Sequence, residues 1–364
     1  MYPLLQLCLC MKLLDKDLEN NMFVLDSHCD TPSQMLRGRD VAKDNNFVHV
    51  DFPKLRRGGV DAAFFALYIP ADLDEEAAYE HAERLYSAVN DSLASNPDTA
   101  VLTVTEAQAY ENKSQGRLSI FLGLENASPI GKSLERLREF YDKGVRYVTL
   151  CHSKNNEICD SCASEAKKWH GLSPFGREVV AEMNRLGMLI DVSHISDEAF
   201  YDVLEYSSKP VVATHSCCRA LSDHPRNMTD DMIRALAANG GVIQINFFPV
   251  FLNAGFEEVI SASGIVDEGD DMKLRTQLHA LERPSYKLIA DHIDHVVSLV
   301  GVDHVGIGSD FDGIEVTPDG MDDVSMLPVL FDELRRRGYS EEDLEKIASR
   351  NFFNAFSFSD GELS

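Results

Sequence analysis

Seven residues of this chain, His28, Asp30, Glu125, His152, His194, His215 and Asp310, are imidazoles or carboxylates placed where an apolar, strand-like run gives out. Imidazole nitrogen and carboxylate oxygen are the donors a zinc-like divalent ion takes. Groups this far apart in sequence converge only if their strands belong to one sheet or barrel. The pattern is that of a metal-dependent hydrolase.

His28 and Asp30 stand two apart, so on an extended strand both side chains point the same way. Glu125 ends the run Phe121-Leu122-Gly123-Leu124. A carboxylate at the end of a buried strand is costly unless paired, and it has the reach to bridge two cations; a helix cap or an arginine pair is the plainer alternative. His194 and His215 end successive runs at the same end, which suits two ligands, and Asp191 is placed to orient one of them.

His152 ends a fourth run, where an imidazole would donate to a developing oxyanion. Asp310 is placed as a general base, with Asp312 holding the same loop. Arg226 offers a planar cation for a two-point grip on a substrate carboxylate, a surface salt bridge being the simpler reading of it alone. Cys159 and Cys162 lack a second cysteine pair at zinc-finger spacing, and Cys217 and Cys218 would favour a closed structural site. No phosphate-loop motif is present.

Eight β-rich runs would carry these groups: Met22 to Asp26, Val60 to Tyr68, Leu118 to Leu124, Arg146 to Cys151, Met188 to Ser193, Pro210 to Thr214, Val242 to Phe247 and His304 to Ser309. Amphipathic stretches lie between them, including Glu75 to Asn90, Ser133 to Lys143, Pro174 to Leu186, Ser196 to Tyr206, Thr229 to Asn239 and Pro284 to Val300. Gly144, Gly187, Gly240 and Gly301 follow such stretches, as left-handed helix ends require. Alternating β and α units give a parallel sheet, and eight strands predict closure into an α/β fold of the (β/α)8 TIM-barrel type.

Arg37 to Gly59 reads as a loop or small hairpin, and residues 248–283 as an insertion over the barrel mouth. Helices are expected at Val324 to Arg337 and Ser340 to Arg350, closing the outside of the barrel. The organisation expected is an N-terminal extension, 1–20, and a single catalytic barrel, 21–364. Tyr2 to Leu14 is apolar but has no basic residues before it and no small-residue cleavage pattern, so it makes a poor secretion signal.

The chain has 364 residues and a formal charge of −26, a field that repels nucleic acid and anionic lipid. No apolar run approaches the ~20 residues of a membrane span. The eight cysteines are scattered, which suits free thiols in a reducing, cytoplasmic setting.

These residues fall into ordered motifs: Asp-x-His-x-Asp at Asp26 to Asp30, Gly-Leu-Glu at Gly123 to Glu125, Thr-Leu-x-His-Ser at Thr149 to Ser153, Ile-Asp-x-x-His at Ile190 to His194, Thr-His-Ser at Thr214 to Ser216, Arg-Asn at Arg226 and Asn227, and Gly-x-Gly-x-Asp-Phe-Asp-Gly at Gly306 to Gly313. In order and spacing the chain resembles the membrane (renal) dipeptidase family from Leu25 to about Arg350.

The resemblance implies a barrel related to the amidohydrolases with two zinc ions (Zn2+), one held by His28 and Asp30, the other by His194 and His215, with Glu125 bridging. It also implies that His152 and Arg226 contact a dipeptide substrate, that Asp310 handles the proton, and that the protein is a homodimer. Phe248 stands where some members carry Tyr, which leaves substrate specificity open there. The signal peptide and lipid-anchor tail of animal members find no counterpart in the sequence. A related amidohydrolase would favour His-x-His in the first strand and a carboxylated lysine bridge, whereas a catalytically inactive metal-binding barrel would lack a proton carrier such as Asp310. The expected substrates are dipeptides, those with a C-terminal D-residue included.

Overall fold

The computed structural model describes residues 22–266, 269 and 271–360. The expected extension, residues 1–20, and the polar end at 361–364 lie outside the described residues. All eight expected strands form: β1 (Leu25–Cys29), β2 (Ala62–Tyr68), β4 (Leu118–Glu125), β5 (Val145–Thr149), β6 (Leu189–Asp191), β7 (Val212–Ser216), β8 (Val242–Ile245) and β9 (Val305–Ile307). They pair in parallel in that order. A further short strand, β3 (Ala100–Leu102), pairs with β4 outside this path.

The seam between first and last strands is tied at its carboxyl end. Asp310 N–H donates to His28 O at 3.0 Å, and Asp30 N–H to Phe311 O at 2.8 Å. The buried Asp26 carboxylate reinforces it, accepting from the backbone N–H of Ser309 at 2.9 Å and from its hydroxyl at 2.5 Å. The sheet is a (β/α)8 barrel with its connecting helices outside.

Side-chain alternation divides the core in two. One face of each strand packs on the helices. The other supplies the barrel interior with Leu25, Phe64, Phe121, Tyr147, Leu189 and Val212. The interior is sealed at the end opposite the site by the helix Asn351–Asp360, whose Phe352, Phe353 and Phe356 are buried in the same cluster. The helices expected on the outside ended at Arg350; the chain continues past them into this further helix, whose three aromatic rings join the barrel's interior cluster.

Other differences are local. Arg37 to Gly59 contains no hairpin; it is a loop ending in the helix Phe52–Arg57, capped by Asp51, whose carboxylate accepts from Lys54 N–H at 2.7 Å. The mouth insertion folds into helices Pro249–Leu252, Gly255–Ser263 and Asp271–His279. Its Val250, Phe256 and Leu278 form a small core with Val316, separate from that of the barrel. Gly144, Gly187, Gly240 and Gly301 all take positive φ, as their positions after helices require. The six cysteines among the described residues are free. No helix among them is long and apolar enough to cross a membrane.

Candidate active site

His28, Glu125 and His215 are the last or penultimate residues of β1, β4 and β7. Asp30 follows β1 directly, and His152, His194 and Asp310 stand three residues past β5, β6 and β9. His194 and Asp310 reach inward through left-handed turns, with φ of 70° and 63°. A non-glycine residue holds that conformation only where its surroundings compensate, and such positions gather at functional sites.

The seven groups converge around Glu125. Its Oε2 lies 3.4 Å from His28 Nε2, and its Oε1 lies 3.2 Å from His194 Nε2, 3.4 Å from His215 Nε2 and 3.8 Å from His152 Nε2. On the first side, His28 Nε2 also faces Asp30 Oδ2 at 3.6 Å and Asp310 Oδ1 at 4.0 Å. Three overlapping sets of potential ligand atoms result: His28, Glu125 and His215; Glu125, His152 and His194; and His28, Asp30 and Asp310. The two oxygens of one carboxylate are thus shared between two groups of donors.

The donor set fits divalent ions. His28 Nε2 and Asp30 Oδ1 are buried without a hydrogen-bond partner, an expensive state unless a cation takes their lone pairs. His194 Nε2 and His215 Nε2 point at each other 2.8 Å apart. Burial, helped by neighbouring positive charge from Arg226 and other histidines, holds both rings well below the usual histidine value and His152 at about 3, so all three are neutral, the form that binds metal.

The acids tell the same story from the other side. Burial first, and then the charge of Glu125, pushes Asp30 up to about 7. Asp310 is pushed to about 7 by burial, with Asp30 adding to it and His28 opposing. Burial alone would lower His28, but the charges of Glu125 and Asp30 override it and hold the ring well above its usual value. The carboxylates demand a positive charge here, and a divalent ion supplies it more fully than a proton.

Behind the ligands lie hydroxyl contacts. Asp191 accepts from the hydroxyls of Thr149 at 2.6 Å and Thr214 at 2.7 Å, and Thr214 Oγ1 is 2.8 Å from His215 Nδ1. Asp191 therefore acts on His215 through Thr214 and not on His194. Tyr147 Oη is 2.8 Å from His28 Nδ1. Tyr147 and Asn246, which contacts Asp310, were not singled out from sequence; a tyrosine or asparagine inside an apolar run reads as core. The one available signal was Gly123 in the strand beside Tyr147.

Above this centre opens a cavity of about 470 Å3, of a size that takes small ligands. Arg226 and Phe248 line it, with Tyr68, Phe251 and Glu315. Arg226 is fixed by donating to His215 O at 2.9 Å and by lying over the Phe251 ring at 5.3 Å, while its Nε is buried without a partner. Asp312 does not enter the centre. Its carboxylate accepts from Thr31 Oγ1 at 2.9 Å and His49 N–H at 2.6 Å, holding the loop as expected.

A parallel barrel with imidazoles and acids gathered at the carboxyl ends of its strands defines the class of metal-dependent hydrolases. A family model described as membrane dipeptidase, peptidase family M19, matches residues 14–359, and the chain belongs to that family. It is accordingly a metallopeptidase of the dipeptidase type. Dipeptidase verJ of Clonostachys rogersoniana is 34% identical over 313 residues, 83% of this chain and 74% of that protein. Dipeptidase aclJ of Aspergillus oryzae is 33% identical over 340 residues, 91% of this chain and 75% of that one. Among solved structures, the probable dipeptidase PvdM from Pseudomonas aeruginosa superposes with a TM-score of 0.83 at 27% identity, covering 94% of this chain and 97% of that chain. A metallopeptidase from Rhodobacter sphaeroides, liganded with a phosphinate mimic of the dipeptide L-Ala-D-Ala, gives 0.81 at 26% identity, covering 93% and 99%.

Proposed function

We propose that the chain is a two-zinc dipeptidase that cleaves the peptide bond of dipeptides, including those with a C-terminal D-residue. The observation that carries this reading is the division of Glu125, one oxygen facing His28 and the other facing His194 and His215. His28 and Asp30 would hold one ion, His194 and His215 the other, with Glu125 between them. Such a pair supplies a water nucleophile near neutral pH and charge stabilisation at the carbonyl.

The remaining chemistry belongs to the chain's own side chains. Arg226 would bind the free carboxylate of the C-terminal residue from the cavity wall, where its Nε has no partner in the protein. Its fixed position selects substrates whose carboxylate lies one residue from the scissile bond. His152, neutral and beside Glu125, would donate to the oxygen that gains charge. Asp310 has one oxygen held by Asn246 and the other turned to the centre, so it can take a proton from the nucleophile and return it to the departing amine. Phe248 forms part of the apolar wall against the substrate. Acceptance of a D-residue is supported by the L-Ala-D-Ala mimic bound in the Rhodobacter sphaeroides relative.

The test is hydrolysis of a panel of L,L and L,D dipeptides by the zinc-loaded and the chelated protein. Cleavage of both series, lost on chelation and restored by zinc, is expected. A loaded protein that cleaves neither series overturns the reading.

A further inference from the structure

We propose that Tyr147 is a positioning residue that fixes the ring of His28 for metal binding, and that Gly123 is a glycine in order to admit it. The inference rests on the metal-binding reading of His28. His28 is fully buried, and its two ring nitrogens face different surroundings. Nε2 looks toward Glu125, Asp30 and Asp310 and has no hydrogen-bond partner; Nδ1 looks the other way, to Tyr147 Oη at 2.8 Å.

A histidine gives a cation the lone pair of one nitrogen, and the other nitrogen then carries the proton and needs an acceptor. Two oxygens lie near Nδ1. Thr214 Oγ1 is at 3.5 Å and is already engaged, 2.7 Å from Asp191 Oδ2 and 2.8 Å from His215 Nδ1. Tyr147 Oη is the acceptor that remains. A phenol oxygen orients the ring without adding a negative charge to a centre that already holds Asp30, Glu125 and Asp310. The two histidines that face Glu125 from β1 and β7 are therefore steadied by different hydroxyls, His28 by Tyr147 and His215 by Thr214.

The sequence makes room for this contact. Gly123 on β4 is the register partner of Tyr147 on β5. A Cβ at Gly123 would fall 2.1 Å from Tyr147 Cζ, 2.2 Å from Cε2 and 2.6 Å from Oη. Gly123 is not among the residues with positive φ, so the missing side chain serves space and not backbone freedom. The ring itself is held in the barrel interior, 5.1 Å from the ring of Phe64, and cannot retreat without disturbing that core.

The experiment is a zinc titration against a chromophoric chelator for the wild-type chain, Tyr147→Phe, Gly123→Ala and the double variant. Two ions are expected in the wild type. Tyr147→Phe and Gly123→Ala should each weaken one of them roughly 10- to 100-fold and leave the other unchanged. The double variant, whose phenyl ring still meets the new Cβ, should weaken the same ion and leave the other unchanged. General destabilisation would instead weaken both ions together. A wild-type chain that takes up no zinc would defeat the metal reading, whereas a Tyr147→Phe chain that binds both ions like the wild type would defeat this inference alone. Should the variants not fold, 15N-histidine NMR of the zinc-loaded wild type decides: a proton on Nδ1 of His28 supports the role, and its absence overturns it.

Discussion

The side-chain amide of Asn246 donates to Oδ2 of Asp310 at 2.8 Å. Its own oxygen accepts from Phe248 N–H at 2.6 Å, which settles which way the amide faces. Asn246 thereby leaves Asp310 Oδ1 toward the centre. Asp310→Asn should retain its metal while kcat falls by about 10²- to 10⁴-fold, the scale of a lost general base. Asn246→Ala should lower kcat less and keep its metal too. Unchanged turnover in Asp310→Asn would remove Asp310 from the proton path.

Arg226 is anchored by His215 O and by the Phe251 ring, so its fork is set before substrate arrives. Arg226→Lys keeps the charge and loses the two-point geometry. The loss is expected to be roughly 1.5–3 kcal/mol, about 10- to 150-fold in kcat/KM, mainly through KM. Comparison with dipeptide amides provides the control: the wild type should prefer free acids, and the variant should show a much smaller preference.

Gly313 sits against both acids of the first cluster. A Cβ there would lie 2.1 Å from Asp30 Oδ2 and 2.7 Å from Asp310 Oδ1. Gly313→Ala should therefore weaken metal binding and turnover together, unlike Asp310→Asn, which separates them. Equilibrium dialysis with zinc beside steady-state kinetics distinguishes the two patterns.

His292 is one source of acid sensitivity in the fold away from the site. His292 Nδ1 accepts from Cys218 N–H at 3.0 Å, and its other nitrogen donates to Leu252 O at 3.2 Å. Burial lowers this ring to about 4, against the ordinary value near 6.5. Between those values the unfolded chain holds the extra proton, so stability rises with pH in that window and is lost as pH falls from 6.5 toward 4. The contribution is up to about 3 kcal/mol. His292→Gln can keep both hydrogen bonds without titrating. Urea unfolding at pH 7 and pH 4.5 should show about 2–3 kcal/mol less acid loss in the variant than in the wild type; equal losses would acquit His292.

The strands and most of the centre were legible because two signals coincide in them. The apolar runs into β4 and β7 end on a Glu and a His, types that are rarely buried without a partner. What sequence did not show depends on contacts across strands. Tyr147 reads as one more apolar strand residue until β4 is laid beside it and Gly123 opens the space. Asn246 lies at the tail of an apolar run, where nothing local marks it as the partner of a residue 64 positions away. The helix that plugs the barrel floor was missed for a related reason. Phe352, Phe353 and Phe356 lie beyond the last helix expected, which ended at Arg350, and periodicity does not tell whether such rings cover a wall or close an end.

Metal stoichiometry tests the central claim most directly. Elemental analysis after zinc loading and desalting should give two ions per chain in the wild type and fewer than two in Glu125→Gln, whose amide cannot offer two anionic oxygens. A wild-type chain with no bound ion, or a Glu125→Gln chain that holds two ions as tightly as the wild type, would contradict the shared carboxylate.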